Sequence, residues 1–520
     1  MDIKNTLRKA EDLFKRKDFI ESKKNFLKIL KKIPNHISSL NNLGFIEFSL
    51  GDKSKAISYL NKSIIFFPNQ PSILCNLAIM QSEAGDLEGA LNNLSNAITL
   101  DPENALFFYN RARIFSQKNE LNNAIEDYIK AIQIDNHYVD SYLNLGFLYN
   151  KVACYDKAIE VLENLLEFNN NSKEAYYNLG VAFSNKKNFV KAEEFFLKCL
   201  SVDPDYDLAK FNLACNYLSQ ENFKDGWKLY DFRWCKLQKH YISMGLPESK
   251  DILKDSNVLI YGEQGIGDQI LFASMIQELK AENKYTFAID KRLVPIFKRS
   301  FPKHSFIDVN NMPNRASYQY QLSLGDLGKH LRQNTKDFQG QKDFLKPNQI
   351  RVDHFKEIFS IEKKVICGIS WKSNNTEVGQ DKSMNLSDLV PILNKRDIKF
   401  IDLQYGDTEL EKHALKERFN IEVSKIDSLD KFYDLDGLIS LIASCDFVLT
   451  TSNVTAHLAG SIGKKTFLFV PDNIGSIWYW SKGEKSLWYP SIDIFRKPNN
   501  QSWLSFVEKT SKFIHKNFAA

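Results

Sequence analysis

The chain contains one glycine-rich turn that ends in an aspartate, in the stretch YGEQGIGDQILFA from Tyr261 to Ala273. A strand, a glycine turn and a helix in succession can hold an anion at the helix N-terminus. The stretch is not a Walker A loop or a dinucleotide fingerprint, because Asp268 replaces the lysine of the first and the glycine spacing differs from the second. An aspartate here would repel phosphate, whereas it is suited to taking a proton from a hydroxyl. We predict that Asp268 is a general base beside Gly265 and Gly267; the alternative is that it only caps its helix.

A second set of polar residues follows predicted strands in the last third of the chain. In TTSNVTAHLAG a strand runs into a helix, which places Ser452, Asn453 and Thr455 beside free backbone N–H groups that suit a diphosphate. His457, one turn further on, is predicted to reach a phosphate or ribose, unless it is a core histidine bonded to a backbone carbonyl. Positive or polar side chains at nearby strand or helix ends could also stabilise negative charge that develops on a bound group. Three candidates at strand or helix ends are Lys372, Lys382 and Gln404.

The elements that would position these residues alternate between strands and helices. A first series covers 257–358 and a second covers 359–520, after a polar linker at 239–256. Apolar strands that alternate with helices predict parallel sheets covered on both faces. Two such series in tandem predict two Rossmann-like domains that face each other across a cleft. The predicted strands are NVLIY (257–261), YTFAI, SFIDV, YQYQLSL, VICGISW (365–371), KFIDLQY (399–405), CDFVLTT (445–451) and KTFLFVP (465–471), and the first predicted helix is 268–280.

The first half of the chain repeats with a period of 34 residues. One set of small residues is Ala10, Gly44, Ala78, Ala112, Gly146, Gly180 and Ala214, and a second set follows twelve residues later at Ser22, Ala56, Ala90, Ala124, Ala158, Ala192 and Gly226. This period with two small positions predicts two closely packed helices per repeat. We predict seven repeats over roughly 3–236, in a repeat domain that spans 1–238.

An asparagine also keeps this register, at Asn42, Asn76, Asn110, Asn144, Asn178 and Asn212. One interpretation is a helix-surface position in an asparagine-rich protein. The other is a ladder of side-chain amides along an inner groove, each able to hold a peptide backbone with one donor and one acceptor. The strict register at a polar position favours the ladder.

Two family resemblances follow from these residues. YLNLGFLYNKVACYDKAIEVL (142–162) and AYYNLGVAFSNKKNFVKAEEFF (175–196) resemble tetratricopeptide (TPR) repeats, which implies an α-solenoid of seven repeats that stack into a right-handed superhelix and bind a peptide or protein on the concave face. GEQGIGDQILFA, GISWKSNN, DLQYGD, TSNVTAHLAGSIGKKTFLFVP and WYPSIDIFRK resemble the glycosyltransferase domain fused to TPR repeats in many bacterial proteins. That domain is related to the heptosyltransferases (glycosyltransferase family 9), which implies a GT-B fold with the acceptor on the N-terminal side and the donor on the C-terminal side. In those enzymes a Gly-Asp pair, matched by Gly267 and Asp268, supplies the proposed base, and an aspartate usually stands at the position of Ser452.

The composition of the chain weighs against several classes of protein. A formal net charge of +5 from 69 basic and 64 acidic residues weighs against a nucleic-acid binder. Seven scattered cysteines without a C-x-x-C pair indicate neither a zinc site nor a redox motif and fit a reducing compartment. The N-terminus is not a signal peptide, and no apolar run approaches the ~18 residues of a membrane span. We therefore expect a cytoplasmic protein without a membrane span.

These patterns together predict an inverting glycosyltransferase that uses no metal ion and no cofactor. A nucleotide sugar would be its donor substrate, and an acceptor protein recruited by the repeats would supply the hydroxyl. Two alternatives remain open: a non-catalytic TPR scaffold with a degenerate sugar-nucleotide domain, and a transferase acting on a lipid-linked or lipopolysaccharide glycan. The sugar, the nucleotide and the acceptor are not determined by the sequence.

Overall fold

The computed structural model describes residues 2–235, 245–311, 315–360, 363–375, 379–472, 477–480 and 482–516. The chain divides into two compact units, Met1–Ala182 and Phe183–Ala520. The second unit thus contains the last predicted repeats together with both strand–helix series.

The first unit is built from antiparallel helix pairs, as the 34-residue period predicts. Its helices are α1 (Ile3–Lys15), α2 (Phe19–Leu30), α3 (Ile37–Ser49), α4 (Lys53–Phe66), α5 (Pro71–Glu83), α6 (Leu87–Leu100), α7 (Ala105–Gln117), α8 (Leu121–Ile134), α9 (Val139–Lys151) and α10 (Tyr155–Phe168), with α11 (Lys173–Asn185) running across the division. The two small positions lie where the paired helices touch. A Cβ on Gly44 would lie 2.5 Å from Leu60, and one on Gly146 would lie 2.6 Å from Leu162, so a larger residue at either position would displace the leucine side chain.

The turn inside a repeat is set by a residue pair before its second helix. In the second and third repeats Gly51 and Gly85 have φ near +89°, a left-handed conformation that glycine adopts at low cost. The next residues, Asp52 and Asp86, accept the backbone N–H three positions on and so cap α4 and α6. The sequence Gly-Asp therefore ends one helix and begins the next.

The second unit begins with helices of the repeat type and continues into two sheets. Its first helices are α12 (Phe189–Val202), α13 (Asp207–Ser219) and α14 (Phe223–Leu229), followed by a 3-10 turn at Tyr230–Cys235. Gly226 of α14 meets Leu218 of α13, where a Cβ would lie 2.7 Å from the leucine side chain. The small-residue contact of the first unit is thus repeated in this last helix pair.

The first sheet has four parallel strands in the order β3-β2-β1-β4. They are β1 (Val258–Tyr261), β2 (Thr286–Ile289), β3 (Ser305–Asp308) and β4 (Tyr320–Ser323), and the helices of this part are α15 (Ile266–Ala273), α16 (Val294–Ser300) and α17 (Leu327–Leu331). β1 is central, with Ile260 opposite Phe287 on one side and Leu322 on the other. The glycine turn therefore leaves the carboxyl end of a central strand.

The second sheet has six parallel strands in the order β10-β9-β8-β5-β6-β7. They are β5 (Val365–Ser370), β6 (Ile398–Asp402), β7 (Val423–Ser424), β8 (Phe447–Thr451), β9 (Thr466–Pro471) and β10 (Ile492–Lys497). The helices are α18 (Gln349–Phe359), α19 (Gly379–Lys382), α20 (Val390–Leu393), α21 (Glu409–Phe419), α22 (Leu435–Ser444), α23 (Val454–Ser461) and α24 (Trp503–Lys516). β8 is again central, and α23 follows its carboxyl end.

Several boundaries differ from the predicted ones. Helix α15 begins at Ile266, two residues before Asp268, because Gly265 rather than Asp268 is its N-cap. It ends at Ala273 instead of 280, and a short 3-10 turn at Ile276–Glu278 follows. Part of the predicted linker pairs with the first sheet, since Ser249 N–H donates to Gln321 O at 3.0 Å; residues 236–244 of that linker lie outside the described residues.

Candidate active site

A cleft of about 470 Å³ lies inside the second unit. It joins the glycine turn after β1 with the turns after β5 and β8 and with helices of the repeat type. Its lining residues are Ser184, Asn185, Lys187, Phe189, Phe211, Cys215, Ser219, Tyr230, Gln264–Asp268, Ser373, Asn375, Lys382, Tyr405, Ser452–Val454, His457 and Ile477–Tyr479. Carboxyl ends of parallel strands are where ligands bind in open α/β sheets, so this is the candidate site.

Asp268 lines this cleft as the third residue of α15. Its Oδ2 accepts the Gly265 N–H at 3.2 Å. Burial raises the pKa of Asp268 to about 6, while the Gly265 N–H and the charge of Lys382 act in the opposite direction. The two sequence interpretations are compatible, because a carboxylate that caps through one oxygen can still accept a proton, and a base poised near the working pH is efficient.

Lys382 is a cation of the cleft, and its positive charge lowers the pKa of Asp268. Its side chain is 4% exposed, and burial lowers its pKa while Asp268 opposes that change. Among the residues that the structure describes, no carboxylate lies within 4.0 Å of its ammonium group. Its backbone is fixed to the second sheet, because Thr451 Oγ1 donates to Lys382 O. A buried ammonium without a carboxylate partner favours an anionic ligand.

His457 links the two halves of the cleft. Its ring is 2% exposed, with Nδ1 2.9 Å from the Tyr489 hydroxyl rather than bonded to a backbone carbonyl. A Cβ on Gly267 would lie 2.9 Å from His457 Cδ2, so the glycine permits the turn after β1 to touch α23. Burial, with the Lys382 charge as a second cause, lowers the pKa of His457 to about 3. The imidazole is therefore neutral near pH 7.

Backbone N–H groups at the N-terminus of α23, which are expected from the sequence to be free, are hydrogen bonded to a side chain. Asn453 Oδ1 accepts the N–H groups of Thr455 and Ala456 at 3.0 and 3.4 Å, so these two groups are not free. Ser452 Oγ accepts the Trp480 indole N–H at 2.8 Å and keeps its own hydroxyl hydrogen for a ligand. Thr455 is buried and does not line the cleft. Ser452 therefore presents a hydroxyl to the cleft, while Asn453 shapes the turn.

Besides Thr455, two predicted donor residues, Lys372 and Gln404, lie outside the cleft lining. The Lys372 ammonium pairs with Glu411 at 2.8 Å. Gln404 Oε1 accepts from Ser370 Oγ and from the backbone N–H groups of Trp371 and Lys372, at 2.8 to 3.0 Å. The expectation that these side chains face the donor is replaced by a supporting role, because their polar atoms are already bonded at the end of β5.

A buried ion network behind the glycine turn was not predicted. Arg233, fully buried, donates to both oxygens of the equally buried Glu263 at 3.0 and 2.9 Å and lies 3.0 Å from Asp326. Burial raises the pKa of Glu263 to about 7, with Arg233 acting in the opposite direction. Tyr230, one turn earlier, accepts from Gln264 Nε2 at 3.1 Å. The residues that end the repeat segment thus hold the residues that begin the turn.

We expect Arg233→Lys to lower the free energy of unfolding of the second unit by roughly 1–3 kcal/mol, because lysine keeps the charge but loses the bidentate contact with Glu263. Urea or thermal melts of the full chain measure this. Arg351→Lys is the matched control, since Arg351 binds Asp434 through two nitrogens at a far more exposed place. Equal losses in both variants would contradict a special contribution from the buried network.

The raised pKa of Asp268 predicts a pH-dependent stability. The folded state holds the proton up to about pH 6, whereas the unfolded state releases it near 3.8, so stability falls as pH rises between those values. Asp268→Asn removes this cost and keeps an oxygen for the Gly265 N–H. We expect the variant to be more stable than the parent by roughly 1–3 kcal/mol at pH 8 and to lose that gain at pH 3.5. Asp388→Asn, which removes a similar charged cap at Asn385, is the control; a gain that does not vary with pH would contradict the shift.

The asparagine ladder is only partly open to a ligand. Asn42, Asn76, Asn144 and Asn178 are half-buried, whereas Asn110 is 4% exposed and donates to Leu106 O at 3.0 Å. Asn110 lines a small cavity of about 120 Å³ with Arg113 and other α5 and α7 residues. Asn212 of the second unit is also half-buried. The register thus places amides at equivalent helix positions, but Asn110 and also Asn42, which donates to Ser38 O at 2.8 Å, are bonded within their own helices.

Comparison with known proteins identifies the repeats. Models of the tetratricopeptide repeat match residues 37–65, 82–117, 112–152 and 174–206. The chain contains tetratricopeptide repeats, as the 34-residue period predicts.

Individual relatives cover part of the chain. Protein FlbA of Caulobacter vibrioides is 29% identical over 293 residues, which cover 52% of this chain and 49% of FlbA, so the chain spans about half the length of that relative. The crystal structure of MamA is 26% identical and covers 32% of this chain and 92% of that one, with a TM-score of 0.31. The structure of YrrB, described as a TPR protein with an unusual peptide-binding site, is 23% identical and covers 35% and 93%, also with a TM-score of 0.31. Within the described residues, no helix is both long and apolar enough for a membrane span.

Proposed function

We propose that the second unit is a glycosyltransferase of the GT-B type that inverts the anomeric carbon of a nucleotide sugar. One observation carries the proposal: a single cleft contains Asp268 from the turn after β1 together with Lys382, Ser452 and His457 from the second sheet. A proton acceptor and a cation on opposite halves of one cleft are the two groups that such a transfer needs.

The chemistry follows from these positions. Asp268 takes the proton of an acceptor hydroxyl as its oxygen attacks the anomeric carbon. The new carbon–oxygen bond forms while the bond to the donor phosphate breaks, and its electron pair leaves with the nucleoside diphosphate. Lys382 and the Ser452 hydroxyl stabilise the charge that develops on this leaving group. Attack from the face opposite the departing phosphate inverts the configuration.

The acceptor is proposed to be a protein held by the repeats. Tetratricopeptide arrays bind extended peptide or protein segments along their inner helices. In the first unit, the asparagines at equivalent positions of α3, α5, α9 and α11 are half-buried, so their amides remain partly accessible to a peptide backbone.

We expect the triple substitution Asn76→Ala, Asn144→Ala and Asn178→Ala to weaken capture of the acceptor protein by at least about tenfold, because each lost backbone hydrogen bond contributes roughly 0.5–1.5 kcal/mol. Pull-downs from the native cell extract, followed by binding assays with the recovered acceptor, measure it. A triple variant of outward-facing residues, Lys62→Ala, Glu163→Ala and Lys198→Ala, is the control. Retained capture in the asparagine variant would reject the ladder.

The proposed function is tested with a panel of nucleotide sugars and the purified full chain. Binding to the folded state should raise its melting temperature for one donor, and slow release of the nucleoside diphosphate should follow. Lys382→Gln should weaken the stabilisation and slow the release. Stabilisation without release or transfer would favour a scaffold with a degenerate sugar-nucleotide domain, and transfer to a lipid-linked glycan alone would reject a protein acceptor.

A further inference from the structure

A second cavity, which we call the basic groove, adjoins the cleft within the second unit. Its volume is about 360 Å³, and it shares part of its lining with the cleft. The lining residues are Lys187, Phe189, Ser219, Asp472, Ile477, Trp478, Trp480, Lys482 and Arg496, of which Lys187, Phe189, Ser219, Ile477 and Trp478 also line the cleft. A ligand in the cleft can therefore extend into the basic groove without leaving the protein surface.

The basic groove has an excess of positive charge. It contains Lys187, Lys482 and Arg496 against one carboxylate, Asp472. In the part of the chain that the structure describes, no carboxylate lies within 4.0 Å of the ammonium group of Lys187 or Lys482. Burial lowers the pKa of Lys187, and Arg496 acts in the same direction while Asp472 opposes it. Two lysines without a carboxylate within 4.0 Å, in a groove with more cations than carboxylates, favour an anionic ligand.

The cations are held in place by neighbouring groups. Arg496 Nη2 donates to Trp480 O at 2.8 Å. The Lys482 ammonium lies 5.5 Å from the centre of the Phe189 ring, within the range of a cation–π contact. Lys187 lies in the turn between α11 and α12 and has a φ of +60°. A preformed arrangement of this kind reduces the ordering cost of binding.

We propose that the basic groove binds a carboxylate of the acceptor, an Asp or Glu side chain of a peptide whose Ser or Thr hydroxyl lies in the cleft. This inference rests on the proposed function. It makes the last repeat helices a specificity element of the transferase.

The location of the groove favours an acceptor ligand over a donor ligand. Lys187, Phe189 and Ser219 come from the segment with the repeat pattern, which binds peptides in other proteins of this type. The donor groups, Lys382, Ser452 and His457, line the cleft but not the groove. A carboxylate bound beside three cations gains charge-assisted hydrogen bonds, which are stronger than neutral ones.

The test uses a synthetic peptide library with one fixed Ser or Thr and random flanking residues. The immobilised full chain selects peptides without a nucleotide sugar, and mass spectrometry identifies those retained. We expect Asp and Glu to be enriched at least about fivefold over Asn and Gln at one or more flanking positions, because a hydrogen bond to a charged group exceeds one to an amide. The charge-reversal variant Lys482→Glu, at an exposed residue that lines the groove and not the cleft, should lose this enrichment.

Controls separate the groove from the donor site and from folding. Lys509→Glu reverses an exposed charge of α24 outside the groove and should keep the enrichment. Nucleotide release and melting temperature should be unchanged in the charge-reversal variant. Absence of acidic enrichment in the parent chain, or its persistence after charge reversal, overturns the proposal, as does loss of nucleotide release with enrichment retained. If no chain releases nucleotide but the enrichment responds to charge reversal, the proposed function fails and the peptide site stands.

Discussion

Asp268→Asn should lower sugar transfer by roughly a hundredfold or more, because a positioned general base contributes about 10²–10⁴-fold in rate. The amide cannot take the acceptor proton, but its oxygen can still accept the Gly265 N–H that Asp268 Oδ2 accepts at 3.2 Å. Asparagine caps helices about as well as aspartate, so α15 and the glycine turn should keep their conformation. Donor affinity should therefore survive while the rate of transfer is lost. Radiolabelled or mass-spectrometric transfer assays, with calorimetry of donor binding, measure the two quantities.

A second substitution at this position distinguishes the base from a cap. Asp268→Ala removes both the proton acceptor and the cap contact, so it should lose transfer and be about 1 kcal/mol less stable than Asp268→Asn through the missing cap. Transfer near the parent rate in the asparagine variant would end the catalytic interpretation of Asp268. Transfer lost only in the alanine variant would assign the residue a purely structural role.

Lys382→Gln should lower the rate of transfer by about 10²–10³-fold, the range found when a group aimed at developing charge is removed. Glutamine is polar and similar in length, but it offers no charge to the leaving diphosphate. Because the Lys382 charge lowers the pKa of Asp268, its loss should also move the rising limb of the pH–rate profile to higher pH. A profile of kcat/KM against pH from 5 to 9 measures both effects.

Lys372→Ala is the matched comparison for this variant. Lys372 was predicted to be a donor residue, but its ammonium pairs with Glu411 and does not line the cleft. We therefore expect donor affinity and rate close to those of the parent chain. Equal losses for both lysine variants would place the leaving group elsewhere in the second sheet.

Local patterns were sufficient to predict most of the fold. Small residues at a 34-residue spacing mark helix contacts, as the Gly44–Leu60 and Gly146–Leu162 contacts illustrate. Buried parallel strands are continuous apolar runs, which made β1, β5, β8 and β9 recognisable. The strand β10 and the helix α24 were missed, because β10 is an edge strand with alternating polar residues and α24 follows without a glycine turn.

Residues of the candidate site could be predicted only where a local sequence motif indicates their chemical role. Asp268 and Lys382 follow strand ends, so their convergence on one cleft could be expected from parallel sheets. The contacts of Gln404 with Ser370 and of Lys372 with Glu411 could not be predicted, because each joins residues that are distant in sequence. Arg233 was missed for the same reason: its partner Glu263 lies 30 positions away, and no local pattern distinguishes it from a surface arginine.

The contact between Arg233 and Glu263 also bears on how such chains change length during evolution. Repeat arrays gain and lose whole repeats by recombination, and each event is tolerated where the new neighbours match. A duplication within α1 to α10 places a repeat beside similar repeats, so the number of repeats can change there. At α14 the successor is unique, because Trp227 donates to Arg332 O and Arg233 neutralises Glu263 inside the adjoining sheet. Homologues with more or fewer repeats should therefore differ at the amino-terminal side of the array, and a Trp-x-x-Tyr-x-x-Arg segment should remain joined to the part of the chain that contains the two sheets.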